Sequence, residues 1–371
     1  MNLPVQFDVI ILGGGPSGSA AALTLARAGV SVLVIERARS WQTRPGETLL
    51  PAANGLLRRL GVWEDFLTTR PVESPGNLSL WGDAVPRATD FIFSPHGSGW
   101  HVDRGTFDGM LAHAAERQGA VLRTGATALR VETVGAKWHV QFRDNAGIDQ
   151  AQADWLIVAS GRSGRPLIHG VVRERSDRLC ACFALVPFQG RTDARTWLEA
   201  ASGGWWYSAP VPDGKTALAF FTDADLLPGN LEARRAWLAS SLTQTHLMRE
   251  RVPEPPAEWR IVDAHSGRLV AADIPRLAAV GDAALSLDPL SSLGLTFALE
   301  SGDRAAAEIV GLARKGAYFD WLEGSWAAFR RNRIHFYGLE QRWPSSVFWK
   351  RRGVEWSLTP NENARARLTS R

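Results

Sequence analysis

The sequence predicts an α/β protein organised on a dinucleotide-binding βαβ unit near its N-terminus. Three observations carry this. The apolar run Val9-Ile10-Ile11-Leu12 has strand length and ends in a Gly-x-Gly-x-x-Gly turn at Gly13, Gly15 and Gly18. An alanine-rich helical stretch follows, Ser19 to Ala28, with Gly29 as the expected C-cap. A second strand, Val30 to Ile35, then delivers Glu36, eighteen residues after Gly18. Gly13 permits the tight turn, Gly15 lets backbone approach a pyrophosphate, and Gly18 lets helix and strand pack closely. The helix N-terminus, at Ser17 and Gly18, offers free N–H groups to phosphates. Glu36 is placed to accept the hydroxyls of an adenosine ribose.

The chain has 371 residues, enough for two lobes. Its 45% apolar and 22% charged residues are ordinary for a globular protein. No apolar stretch reaches the roughly eighteen residues of a membrane span, so none is expected. The first strand begins almost at the N-terminus and leaves no room for a signal peptide, which predicts a cytoplasmic location. Cys180 and Cys182 form no disulfide framework and offer too few ligands for a metal; they read as small buried residues. From Arg314 onward there are twelve Lys/Arg against five Asp/Glu. Such a tail can suggest nucleic acid, but Trp321, Trp326, Trp343, Trp349 and Trp356 punctuate it. A helical cover docked on the core is the simpler reading, with no nucleic-acid partner.

Beyond Glu36, Arg37 and Arg44 precede Pro45-Gly46-Glu47, and Pro51 can open a helix over Ala52 to Leu60. Residues 73–99 read as strands and loops of an inserted lobe. An amphipathic helix ends near Gln118-Gly119. Strands at 120–124, 127–134 and 137–143 suggest a meander, and a buried strand runs from Trp155 to Ala159. Residues 179–223 carry further strands, among them Trp205-Trp206-Tyr207. Leu231 to Arg251 reads as helix, ended by Pro253, Pro255 and Pro256. A second strand–turn–helix closes the pattern: Leu277 to Val280, Gly281-Asp282, the turn Asp288-Pro289 to Gly294, and a helix from Leu295. A Gly-Asp pair at a parallel strand end puts a carboxylate beside any ligand in the crevice; alternatively, Asp282 only caps a helix.

With these motifs the sequence resembles the aromatic-hydroxylase superfamily of FAD-dependent monooxygenases, which share the glutathione-reductase-type FAD fold with an inserted β-sheet substrate domain. The resemblance implies FAD as cofactor. Gly13, Gly15, Gly18 and Glu36 match the ADP fingerprint, with Ser17, Arg37 and Arg44 beside it. Arg104, in Val102-Asp103-Arg104-x-x-Phe107-Asp108, matches an arginine near the diphosphate. Gly281-Asp282 matches the ribityl motif, and Asp288-Pro289 through Gly294 and Leu295 the loop at the pyrimidine end. The implied organisation is an FAD-binding domain from 1–72, 100–170 and 260–315, a substrate domain from 73–99 and 171–259, and a C-terminal helical segment over 316–371.

Within that superfamily the sequence resembles tryptophan halogenase-like proteins and the maturases of cysteine tryptophylquinone oxidases. Pro45-Gly46-Glu47 with Pro51, Trp205 to Pro210, and Arg342-Trp343-Pro344 followed by Phe348-Trp349 and Arg351-Arg352 carry that likeness. The exposed charges of this tail, Arg351 and Arg352 among them, are expected to dock an acidic partner surface. Two departures argue against halogenation. Residues 38–136 contain no lysine, whereas halogenases relay hypohalous acid through one. Ser291 stands where their turn has an active glutamate. Ser160-Gly161 also replaces the Asp-Gly of hydroxylases reduced directly by NAD(P)H, which implies a separate flavin reductase or reduced-flavin supply, with O2 as co-substrate. The implied reaction is hydroxylation of an indole through a flavin C4a-hydroperoxide, on a tryptophan of a precursor protein or peptide. The alternatives are a small-molecule hydroxylase, a flavin reductase of isoprenoid double bonds, or a non-catalytic flavin-bound chaperone. His265 and Asp288 are the polar residues expected near the flavin ring, and Trp205, Trp206 and Tyr207 the candidate substrate pocket. A lone histidine is also commonly structural, and strand aromatics commonly core.

Overall fold

The computed structural model describes residues 4–164, 167–187, 193–271 and 274–354. Strand Val5–Leu12 is the centre of the first sheet, with strand Val32–Glu36 on one side and the long strand Gly147–Val158 on the other, all parallel. Val9 to Leu12 are buried on both faces, which is why the run is continuously apolar rather than alternating. Val9 and Ile11 face a core shared with helices Pro16–Arg27 and Arg104–Arg117. Ile10 and Leu12 face a core closed by strands Thr127–Val134 and Lys137–Asp144. Strand Gly147–Val158 pairs antiparallel with Lys137–Asp144 along its first half. Beyond Ala153 that side is taken over, in parallel, by Leu277–Ala279.

The second sheet has seven strands in the order 260–263, 179–187, 215–223, 204–211, 196–201, 76–80 and 87–90. Helix Leu231–Thr243 covers one face, with Leu238 and Leu242 against Trp206 and Phe220. The other face packs Trp205 and Phe221 against Tyr337, Phe348 and Trp349, which come from helices Ala317–Gly338 and Val347–Val354. Residues 355–371 of the expected C-terminal cover lie outside the described residues. Among the described residues no helix is long and apolar enough to cross a membrane, and no group of His, Cys, Asp and Glu could hold a metal ion.

Three local expectations are corrected. Strand Val121–Thr124 is not part of a meander but pairs in parallel with Val32–Glu36. The turn at Gly125, whose φ is +67°, returns the chain beside Glu36 and separates it from the next strand. Strand Arg260–Asp263 belongs to the second sheet, pairing with Cys180 to Phe183, so the lobe border falls after it. The helix over 231–251 is broken. Buried Glu199 accepts hydrogen bonds from the N–H groups of His246, Leu247 and Met248, which starts the separate short helix Met248–Arg251.

Candidate functional site

The glycine turn is shaped by close contacts. Gly13 has φ +114°, and a Cβ there would lie 2.4 Å from Ala159 O; at Gly18 it would lie 1.9 Å from Gly13 O. Gly15 differs. Its φ is −70°, it caps helix Pro16–Arg27 without any side-chain hydrogen bond, and a Cβ would meet only the Arg44 guanidinium, at 3.4 Å. Space is therefore open where a diphosphate would face an uncapped helix N-terminus and an arginine. Glu36 stands at the rim, accepting from Gly14 N and Ala38 N, both at 2.7 Å. Arg37, next to it, is exposed.

Arg44 and Arg104 converge on Asp108. Arg104 grips it with Nε and Nη2, both at 3.1 Å, and its Nη1 donates to Pro45 O and Gly46 O. At 9% exposed, Arg104 clamps the 44–47 loop from inside. Arg44 pairs with the same carboxylate, yet half of its side chain is exposed at the cradle mouth.

The second motif lies against the first. Gly281 has φ +59°, and a Cβ would come within 2.5 Å of Ser17 Oγ; its N–H donates to Ser301 Oγ at 2.8 Å. Helix Gly294–Ile309 crosses the N-terminal helix so closely that a Cβ on Gly302 would lie 2.1 Å from Ser17 O. Asp282 is a third exposed and pairs with Arg162 at 3.2 Å. Arg162 also donates to Leu287 O, while Arg173 donates to Asp282 O, Ala283 O and Gly161 O. These two arginines tie the end of strand Gly147–Val158 to the 281–287 turn. Beyond it, Pro289 and Gly294 line the next turn with Ser292 in the left-handed region at φ +51°, and Leu295 is buried in the following helix.

The two residues expected near the flavin ring are interior. Both carboxylate oxygens of Asp288 are engaged: Oδ1 accepts from Leu290 N at 3.0 Å, and Oδ2 from Arg333 Nε at 2.9 Å and Tyr337 at 3.0 Å. Asp288 is thus a strut between the turn and the C-terminal helix, not a free acid. The His265 side chain is 1% exposed; Nδ1 sits 3.1 Å from Asp263 Oδ1 but out of line for a hydrogen bond, and Nε2 has no partner. Burial lowers its pKa.

The aromatic triplet is split by strand alternation. Trp205 and Tyr207 face the C-terminal helices and the first lobe, whereas Trp206 points to the opposite side, donating to Ser241 Oγ at 3.1 Å beneath helix Leu231–Thr243. Trp206 therefore cannot share a pocket with the other two. Trp205 is wholly buried and donates to the Tyr337 hydroxyl at 3.0 Å. The Tyr207 hydroxyl meets Thr48 Oγ1 at 2.6 Å and lies against the Glu47 carboxyl, which burial holds above the usual carboxylate range. Thr48 Oγ1 is in turn 3.3 Å from His101 Nδ1; burial pushes the pKa of that imidazole down to about 4. The sequence alone does not mark Glu47, Thr48, His101, Arg162 and Arg173 as site residues. Only Glu47, inside the Gly46-Glu47 segment, left a signal; the others meet through tertiary contacts.

An open diphosphate cradle joined to a Gly-Asp turn, together with a separate, largely antiparallel sheet, defines a two-lobed flavin-nucleotide enzyme. The chain belongs to the FAD binding domain family, whose model matches residues 6–306. It is an FAD-dependent oxidoreductase of the flavin halogenase and oxygenase group. An FAD-dependent oxidoreductase of Marinomonas mediterranea, LodB, is 28% identical over 359 residues, covering 94% of this chain and 97% of that protein. The myxobacterial chondrochloren halogenase CndH superposes with a TM-score of 0.85 at 25% identity, over 99% of this chain and 89% of CndH. The peptidyl tryptophan dihydroxylase QhpG, described as essential for tryptophylquinone cofactor biogenesis, shares the fold. Its TM-score is 0.74 at 23% identity, over 94% of this chain and 79% of QhpG.

Proposed function

We propose that this enzyme hydroxylates an electron-rich aromatic ring, a tryptophan side chain of a precursor protein or peptide, using reduced FAD and O2. The observation that carries hydroxylation over halogenation is the absence of lysine from residues 38–136. That stretch includes the 44–51 loop and the inserted strands, and it offers no amine to relay a halogenating species. The choice of a protein-borne tryptophan is supported by the activity named for QhpG.

Bound and reduced, FAD supplies the activation of O2 and the transfer of one oxygen atom to the ring. The chain's own residues bind, orient and shield. Gly15, Ser17 and the uncapped helix N-terminus hold the diphosphate with Arg44, and Glu36 takes the ribose. Asp282, steadied by Arg162, takes the ribityl side. Tyr207, Thr48 and Glu47 stand where the substrate sheet meets the 44–51 loop. They shield that border from water, and burial raises the pKa of the Glu47 carboxyl. Electrons come from a separate reductase or free reduced flavin.

The test is oxygen incorporation. Reduced holoenzyme, 18O2 and a precursor protein should give a mass gain of one or more labelled oxygens on tryptophan. Modification of free indole without any protein product removes the protein-substrate reading. The similarity to CndH favours a second reading, halogen transfer, which incorporation of chloride or bromide under the same conditions would establish.

A further inference from the structure

Helix Ala317–Gly338 turns Trp326, Phe329, Arg333 and Tyr337 inward. On its outer side Arg331 and His335 stand one turn apart, with Ile334 on one shoulder and Phe336 and Leu339 on the other, all exposed. The second shoulder meets the inserted lobe: Trp81 Nε1 donates to Phe336 O at 2.7 Å, and Gly82 packs on Leu339 O. Val85, three residues on from Gly82, is 63% exposed, and Phe336 and Leu339 are 50% and 45% exposed. Large apolar side chains clustered at such exposure, at a joint between two segments, mark a docking surface more often than chance scatter does. Trp81 also contacts Trp349 at 5.4 Å, and the residue after Trp349, Lys350, is exposed.

The charge around the seam has one sign. From 324 to 354 the only acid is Glu340, which is buried and held by Arg342 and Gly82 N. Asp83 at the edge is tied to Arg87. Among the described residues Arg331 and Lys350 have no ion-pair partner. Arg351 and Arg352, by contrast, are not free docking charges, because they are paired with Asp223 and Asp225. A second copy would bring an equally basic face, and residues 355–371, with three arginines against two glutamates, also repeat the sign. The complement is an apolar surface with negative charge.

We propose that the seam of Val85, Phe336 and Leu339, flanked by Arg331 and Lys350, docks an acidic amphipathic segment of the protein substrate. This rests on the protein-substrate reading above. The probe is a labelled synthetic peptide of about twenty residues, long enough for several helical turns, with Glu and Asp interleaved with Leu at helical spacing. A matched peptide carrying Lys in place of the acids is the control. By anisotropy, the acidic peptide should bind the holoenzyme, more weakly as salt rises, while the Lys peptide does not. Arg331→Glu with Lys350→Glu, and separately Phe336→Ser, should each weaken binding about tenfold or more. Equal binding of both peptides, or indifference to both variants, overturns the proposal. So does a self-dimer in sedimentation that Phe336→Ser abolishes. Oxidation of free indole, read on the same variants, should be unchanged. An enzyme that docks the peptide but oxidises only free indole keeps the surface and loses the protein-substrate reading.

Discussion

Tyr337 donates a hydrogen bond to Asp288 Oδ2 at 3.0 Å, in the interior, across 49 residues of chain. The same hydroxyl accepts from Trp205 Nε1, and Arg333 grips the same carboxylate. One buried acid thus joins the turn at 288–294, the substrate sheet and the C-terminal helix.

Tyr337→Phe keeps the ring and removes the donor and acceptor. It should cost about 1–3 kcal/mol of stability, because a buried carboxylate oxygen and an indole N–H each lose a partner. Arg333→Met should cost more, about 3–5 kcal/mol, since it strands the Asp288 charge. Urea unfolding of the two variants measures both, and equal, near-zero losses would show that the strut carries no load.

Gly15→Val and Gly18→Val should part company. Gly15 faces open space at an ordinary φ, so the valine protein should fold and purify colourless, its side chain filling the diphosphate's place. Gly18→Val drives Cβ into Gly13 O and should not yield folded protein. Circular dichroism with the flavin absorbance separates the two; a yellow Gly15→Val protein would displace the diphosphate from this turn.

Mixing the oxidised enzyme anaerobically with NADPH or NADH should bleach the flavin very slowly, on the reading that Ser160-Gly161 stands in place of the Asp-Gly segment. Fast bleaching in a stopped-flow trace would make a partner reductase unnecessary.

His101 should give an acid-side stability slope. Burial depresses its folded pKa from 6.5 to about 4, so below pH 6.5 the unfolded chain takes up a proton that the folded chain refuses. Stability should then fall as pH drops from about 6.5 to about 4, at up to about 1.4 kcal/mol per pH unit. Glu47 acts in the opposite sense, its raised pKa favouring the folded state at low pH. The clean readout is therefore the difference between parent and His101→Gln, whose slope over that window should be flatter.

Trp206→Phe should leave turnover within about twofold and lower stability only, because Trp206 faces helix Leu231–Thr243 and loses one hydrogen bond. Tyr207→Phe should lower turnover, as its hydroxyl joins Thr48 and Glu47 at the lobe border. Steady-state rates on one aromatic substrate decide whether the division of the strand's two faces holds.

The sequence by itself determined the βαβ unit. A Gly-rich turn, an alanine helix and an acid at the end of the second strand are constraints within about thirty residues, each enforced by backbone contacts such as Gly18 against Gly13 O. It determined the second strand–turn–helix for the same reason. What only the tertiary structure decided is which side chains end up facing a ligand and which hold the protein together. Asp288 reads as a polar residue beside the flavin ring until Arg333 and Tyr337 arrive from 45 and 49 residues away and take its carboxylate. Arg351 and Arg352 read as exposed docking charges until Asp223, more than 120 residues distant, pairs with both and Arg352 is buried. Trp205 and Trp206 are neighbours in sequence and strangers in space, because a strand sends consecutive side chains to opposite faces. A buried charge is stable only with its counter-charge, and that partner is chosen by the packing of distant elements, which no local pattern encodes.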